Sequence, residues 1–149
     1  MRLTKIIFLD FDGVVNAFSE PESLRCLSQG CVANLNTLLD RSGANIVVTS
    51  TWRILHSLAD LRQILVNAGL KYPERVIGVT PRNDGIRGKQ IERWLENYPE
   101  EVEAFVILDD DSDMGNFSGK LVRTDSDIGL TDLDVEKALK ILNPGGLRE

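Results

Sequence analysis

Five short apolar runs, most of them closed by an acid or a hydroxyl, alternate with longer helical patterns and so limit what this chain can fold into. They are Lys5-Ile6-Ile7-Phe8-Leu9 before Asp10, Ile46-Val47-Val48 before Thr49-Ser50-Thr51, Arg75-Val76-Ile77-Gly78-Val79-Thr80 before Pro81, Ala104-Phe105-Val106-Ile107-Leu108 before Asp109-Asp110-Asp111, and the weaker Lys120-Leu121-Val122-Arg123 before Thr124-Asp125. β-Branched and aromatic residues dominate these runs and polar alternation is absent, which suits strands covered on both faces. Strands of that kind between helices build a parallel α/β sheet.

The intervening segments carry helical spacing. Val32, Leu35, Leu38 and Leu39 share one face, ended by Gly43. Leu55, Leu58, Leu61, Leu65 and Val66 share another, stopped at Gly69, and Ile91, Trp94 and Leu95 mark a third that ends near Pro99. Thr131 or Asp132 caps the last helix, which carries Val135, Leu139 and Leu142 before Pro144-Gly145-Gly146 breaks it. With 149 residues, 42% of them hydrophobic, the chain reads as one domain over 1–149, without repeat or linker. The stretch from about 14 to 30 fits neither pattern. It follows the acidic end of the first strand, where a long connection reads as a flap or lid over a site.

Charge and cysteine content narrow the setting. A net charge of -6 argues against a nonspecific nucleic-acid binder, which needs a basic face, although a local basic patch is compatible with it. Cys26 and Cys31 form neither a CxxC pair nor half of a zinc site, so they read as buried or half-buried thiols of a reducing compartment. The apolar run after Met1 is too short to span a membrane and lacks a cleavage pattern, which predicts a cytoplasmic protein.

Ligands of open parallel sheets bind at the carboxyl ends of the strands. Here those ends carry Asp10 and Asp12, then Thr49 and Ser50, then Asp109, Asp110, Asp111 and Asp113. Carboxylates gathered this closely repel one another unless a cation neutralises them, and hard oxygen donors suit Mg²⁺. In Asp10-Phe11-Asp12 the two acids can turn toward one point as the chain leaves the strand. One is then able to attack phosphorus while the other exchanges protons, and Gly13 permits the turn that follows.

These features, in this order, resemble the haloacid dehalogenase superfamily of phosphatases over nearly the whole chain. Its DxDG motif stands as Ile7-Phe8-Leu9-Asp10-Phe11-Asp12-Gly13. The resemblance implies a three-layer, Rossmann-like α/β fold: a parallel sheet of about five strands with helices on both faces. It makes Asp10 the nucleophile and Asp12 the general acid/base, which also lends its backbone carbonyl to Mg²⁺. The hydroxyl of Thr49, or of Ser50, would hold phosphoryl oxygens. The lysine near a helix start, which would bind phosphate and offset the charge it shares with Asp10, is matched by Lys89. Of the acidic strand end, Asp110 is favoured as direct metal ligand with Asp109 in support and Asp113 as a further contributor; Asp10 and Asp12 complete the metal set.

More loosely, Thr49-Ser50-Thr51-Trp52-Arg53 and the compact size resemble the domains of this superfamily associated with RNA-repair proteins, with Arg53 as an added phosphate contact. The inserts after the first motif and around Pro81 to Gly88 are too short for a large cap. Capless relatives accept bulky or macromolecular phosphorylated substrates, so nucleic acid is a possible partner and a membrane is not. Trp52 reads as a packing anchor, His56 as structural, and Phe18 as a cover for substrate or a pin for the loop. The expected activity is Mg²⁺-dependent phosphomonoester hydrolysis through an aspartyl-phosphate on Asp10. The alternatives are a polynucleotide 3′-end phosphatase and a noncatalytic phosphate-binding scaffold.

Overall fold

A computed structural model of the protein describes residues 4–20, 26–82 and 85–143. All five expected strands form: β1 (Thr4–Leu9), β2 (Asn45–Val48), β3 (Val76–Val79), β4 (Val102–Asp109) and β5 (Leu121–Arg123). They lie parallel in the order β3-β2-β1-β4-β5. The chain therefore builds outward from β1 through β2 to β3, then returns to place β4 on the other side of β1. That reversal leaves a crevice between the carboxyl ends of β1 and β4, the position where such sheets hold ligands.

Strand periodicity divides the core into two layers. Ile7, Leu9, Ile46, Val48, Val106 and Leu108 face a large cluster filled by α1 (Gln29–Ser42), α3 (Leu58–Asn67) and α5 (Asp132–Leu142). Their neighbours Ile6, Phe8, Val47 and Ile107 face the opposite side, where Ile91 of α4 (Arg87–Asn97) and Met114 complete a smaller cluster. Phe8 meets Trp94 and Phe105 edge-on, each at 5.6 Å between ring centroids. Full burial of each such side chain stabilises the fold by about 1.5–3 kcal/mol, which explains why the strands tolerate no polar alternation. This is the three-layer, Rossmann-like α/β arrangement, and no cap domain stands over the strand ends among the described residues.

Three sequence expectations change. The single helix expected from Leu55 to Val66 is two: a short α2 (Trp52–Leu55), then α3 after an extended His56. Ser57 is the cause, because its hydroxyl accepts from the Asp60 N–H while the Asp60 carboxylate accepts from the Ser57 N–H. A capping box contributes about 1 kcal/mol toward starting a new helix there. Leu55 thereby leaves the apolar face and is 85% exposed. The flap also contracts: Val14, Val15, Asn16 and Ala17 are buried, and so are Leu27 and Ser28, while 21–25 lie outside the described residues. Finally, Cys31 is buried but Cys26 is exposed, and both are free thiols.

α5 begins at Thr131, which forms a capping box with Asp134, so Asp132 is inside the helix. Pro144-Gly145-Gly146, expected to break it, lies outside the described residues. Among the described residues no helix is long and apolar enough to cross a membrane.

Candidate active site

Backbone pairing brings the acidic strand ends together. The Asp10 N–H donates to the Leu108 carbonyl and the Thr49 N–H to the Leu9 carbonyl, which fixes the ends of β2, β1 and β4 side by side. Asp10, Asp109 and Asp110 consequently offer carboxylate oxygens that all lie within 4.8 Å of one another. The turn after Asp12 has to be tight. Gly13 has φ +79°, and a Cβ there would collide with the Asp110 carboxylate, so only glycine lets the first acidic loop lie against the second.

The loop after β5 braces this arrangement. Thr124 donates to the Gly13 carbonyl at 2.7 Å, Arg123 Nε to the Asp110 carbonyl at 3.1 Å, and Ser126 Oγ to Asp110 Oδ2 at 2.8 Å. On the other side the acidic pair is met by Arg87. Its Nη1 lies 3.1 Å from Asp10 Oδ1 and 2.8 Å from Asp109 Oδ2. The Phe11 N–H also donates to Asp10 Oδ1, so the two contacts converge on one oxygen and Oδ2 accepts from neither.

Electrostatics follow from this crowding. Burial, then the neighbouring charges of Asp109 and Asp110, push the Asp10 carboxyl up to about 7 against the pull of Arg87. Burial likewise raises Asp109, although Arg87 opposes it. Burial works against the Arg87 charge, but Asp10 and Asp109 outweigh it and hold that guanidinium protonated above its ordinary value. One arginine thus leaves three carboxylates undercompensated. An all-oxygen donor set with excess negative charge fits a hard divalent cation.

Asp12 stands outside this carboxylate cluster and has its own partners. Its Oδ1 accepts from Asn16 Nδ2 at 2.9 Å and from Trp52 Nε1 at 3.2 Å. Trp52 is held edge-on against Phe11, with centroids 5.3 Å apart. The Gly13 N–H donates to Asn16 Oδ1 at 2.9 Å, which closes the small loop.

The remaining expected residues separate into two groups. Thr49 is fully buried beside Asp10 and its hydroxyl has no hydrogen-bond partner among the described residues, whereas the Ser50 hydroxyl accepts from the Trp52 N–H at 3.1 Å. Arg53 is not aimed at the carboxylate cluster. All five of its N–H groups are occupied: Nε on the Thr80 carbonyl, Nη1 on those of Thr49 and Ser50, and Nη2 on the Pro81 carbonyl and Gln90 Oε1. It locks the ends of β2 and β3 to α4, a structural task in place of the expected phosphate contact.

Lys89 also lies elsewhere. It is 67% exposed and paired with Glu92 at 3.6 Å, while Arg87, two residues earlier, occupies the position expected of it. Asp113 is likewise not a member of the carboxylate cluster, because its Oδ2 accepts from the Arg87 N–H at 3.4 Å and serves the start of α4. His56 is exposed beside Trp52. Phe18 is 47% exposed and tied through its N–H to the Ser126 carbonyl.

The residues that sequence reasoning missed are Arg87, Ser126 and the Asn16–Trp52 pair. A signal for Arg87 existed: it falls four residues before Ile91 and seven before Trp94, on the inward face, whereas Lys89 is turned about 200° from Ile91. No curated protein matches the chain. The family model for the HAD domain in Swiss Army Knife RNA repair proteins matches residues 6–135, and the chain belongs to that family, within the HAD-like superfamily of phosphatase-type hydrolases.

Proposed function

We propose that the protein is a Mg²⁺-dependent phosphomonoester hydrolase acting through an aspartyl-phosphate on Asp10. The observation that carries this reading is the convergence of Asp10, Asp109 and Asp110 at the β1–β4 switch point, with a separately held Asp12 beside them. Asp10, Asp110 and the Asp12 backbone carbonyl would hold Mg²⁺, with Asp109 orienting Arg87. When bound, the cation offsets negative charge on the phosphoryl oxygens and between the carboxylates.

Asp10 attacks phosphorus through the oxygen that Arg87 and the Phe11 N–H leave free. As the P–O ester bond breaks, the protonated Asp12 gives its proton to the leaving oxygen. Asp12, now a carboxylate, takes a proton from water, which attacks the aspartyl-phosphate at phosphorus and releases inorganic phosphate and Asp10. Asn16 and Trp52 hold Asp12 by one oxygen, so its other oxygen is the one that exchanges protons. The unpartnered Thr49 hydroxyl supplies a contact to the transferring group, and Arg87 offsets the charge on Asp10 and the phosphoryl oxygens. The reading is tested by hydrolysis of an aryl phosphate with and without chelator, beside Asp10→Asn. Both treatments are expected to abolish turnover, and activity surviving both would exclude the mechanism.

A second reading, a polynucleotide 3′-end phosphatase, draws support from the RNA-repair setting in the family's description. Turnover of a 3′-phosphorylated oligonucleotide far above that of nucleotides and sugar phosphates supports it, and equal or absent oligonucleotide turnover counts against it. A noncatalytic phosphate-binding scaffold is less well supported, because such a protein has no need for a hydrogen-bonded Asp12 beside the nucleophile.

A further inference from the structure

Arg87 borders two spaces. One is the carboxylate cluster; the other is a polar cavity of about 310 Å³ lined by Thr51, Arg53, Ile54, Arg82, Arg87 and Asp113. That volume is at the small end for ligand cavities, which run to roughly 300–1,000 Å³. Three guanidinium groups meet one carboxylate in its walls. Asp113 is engaged with the Arg87 N–H, and Arg53 has spent its donors on carbonyls and Gln90, so it contributes charge without contact. Arg82 is exposed and has no ion pair or hydrogen bond among the described residues. Burial and then the charges of Arg87 and Arg82 lower the Arg53 pKa, as expected where like charges gather. Cations clustered around a polar cavity, one of them with unused donors, suit an anion with several acceptor oxygens.

We propose that this cavity is a subsite for a second phosphate of the substrate, bound chiefly by Arg82 with Thr51 beside it. The inference rests on the phosphatase reading, since it places the cleaved phosphomonoester at Asp10. Because Arg87 borders both spaces, one substrate molecule can carry both phosphates. The same chemistry is offered by the second monoester of a nucleoside bisphosphate and by the phosphodiester of an oligonucleotide.

The test measures binding by calorimetry to the whole chain, in chelator and at fixed ionic strength. The probes are adenosine 3′-monophosphate, adenosine 3′,5′-bisphosphate and a dinucleotide ending in a 3′-phosphate. The wild type should bind at least one of the last two about tenfold more tightly than the monophosphate. Within Arg82→Ala that ratio should fall below about threefold, and Arg82→Lys should recover part of it. A ratio near one on the wild type, no binding of any probe, or an unchanged ratio in Arg82→Ala overturns the subsite. A ratio above one for the bisphosphate alone assigns the site to small bisphosphates, and one for the dinucleotide assigns it to a diester. Turnover without any such ratio removes the subsite and keeps the phosphatase reading. A ratio that depends on Arg82 in a protein with no turnover does the reverse.

Discussion

At the site, most single residues have a task set by one or two contacts. Arg87 carries the charge that faces Asp10 and Asp109, whereas Lys89 faces solvent. Arg87→Ala should therefore reduce kcat/KM at least about a hundredfold, and Lys89→Ala should stay within about twofold, in steady-state hydrolysis of one aryl phosphate. Trp52 donates to Asp12 from the indole nitrogen. Trp52→Phe removes that donor and keeps most of the ring, so kcat should fall roughly tenfold with KM little changed. A loss confined to KM would remove Trp52 from the handling of Asp12.

Asp10 has a consequence for stability as well as for chemistry. Its folded carboxyl holds a proton up to about 7, against 3.8 for the ordinary group, so the folded protein binds that proton more tightly than the unfolded chain. The stabilisation is full below the unfolded value and is lost as pH rises through the folded one. Asp10→Asn has no such loss. In chelator, its Tm relative to wild type should increase between pH 5 and pH 8, and a constant or shrinking difference would contradict the burial and charge crowding at Asp10. The placement of Asp10, Asp12, Thr49, Asp109 and Asp110 at adjoining strand ends was legible in the sequence, because such ends bring neighbouring loops together. Arg53 was legible as a cation near the site but not as a clamp, since its partners are backbone carbonyls from two strand ends and a side chain of α4.

Among the elements, α4 does most to position the site, because it begins at Arg87 and is seated close against the turn at Met114. A Cβ on Gly88 would run into the Met114 carbonyl, so this contact admits only glycine. Gly88→Ala should push the helix start outward, destabilise the fold by about 1–3 kcal/mol in urea unfolding and lower kcat through displacement of Arg87. Normal stability and activity would show that the helix has room to shift. The strands, the stop of α1 and the start of α5 followed from local spacing, since Gly43 and Thr131 act on neighbours within four residues. The break between α2 and α3 escaped because apolar spacing from Leu55 onward continues across it. The Ser57–Asp60 capping box, not hydrophobic period, decides where α3 starts. The burial of Val14 to Ala17 at the start of the expected flap was not legible for a different reason: no local pattern marks those residues as core.

For the molecule as a whole, the strand order explains why so acidic a cluster exists at all. Reversal of direction at β1 forces the ends of β1 and β4 together, and with them Asp10, Asp109 and Asp110. Three of the chain's 23 acidic residues meet there, while the guanidinium groups of Arg53, Arg82 and Arg87 gather next door. If the cluster holds Mg²⁺, the cation should raise the wild-type Tm at pH 8 by mass action, and no shift at millimolar Mg²⁺ would count against that site. Every step of the proposed hydrolysis depends on covalent transfer to Asp10. Its most direct measurement is rapid acid quench of wild type mixed with Mg²⁺ and an aryl phosphate, followed by peptide mass spectrometry. A phosphate is expected on the peptide containing Asp10, and in Asp10→Asn it should disappear together with turnover; full turnover by Asp10→Asn, with no phosphorylated peptide in the wild type, would rule covalent transfer out.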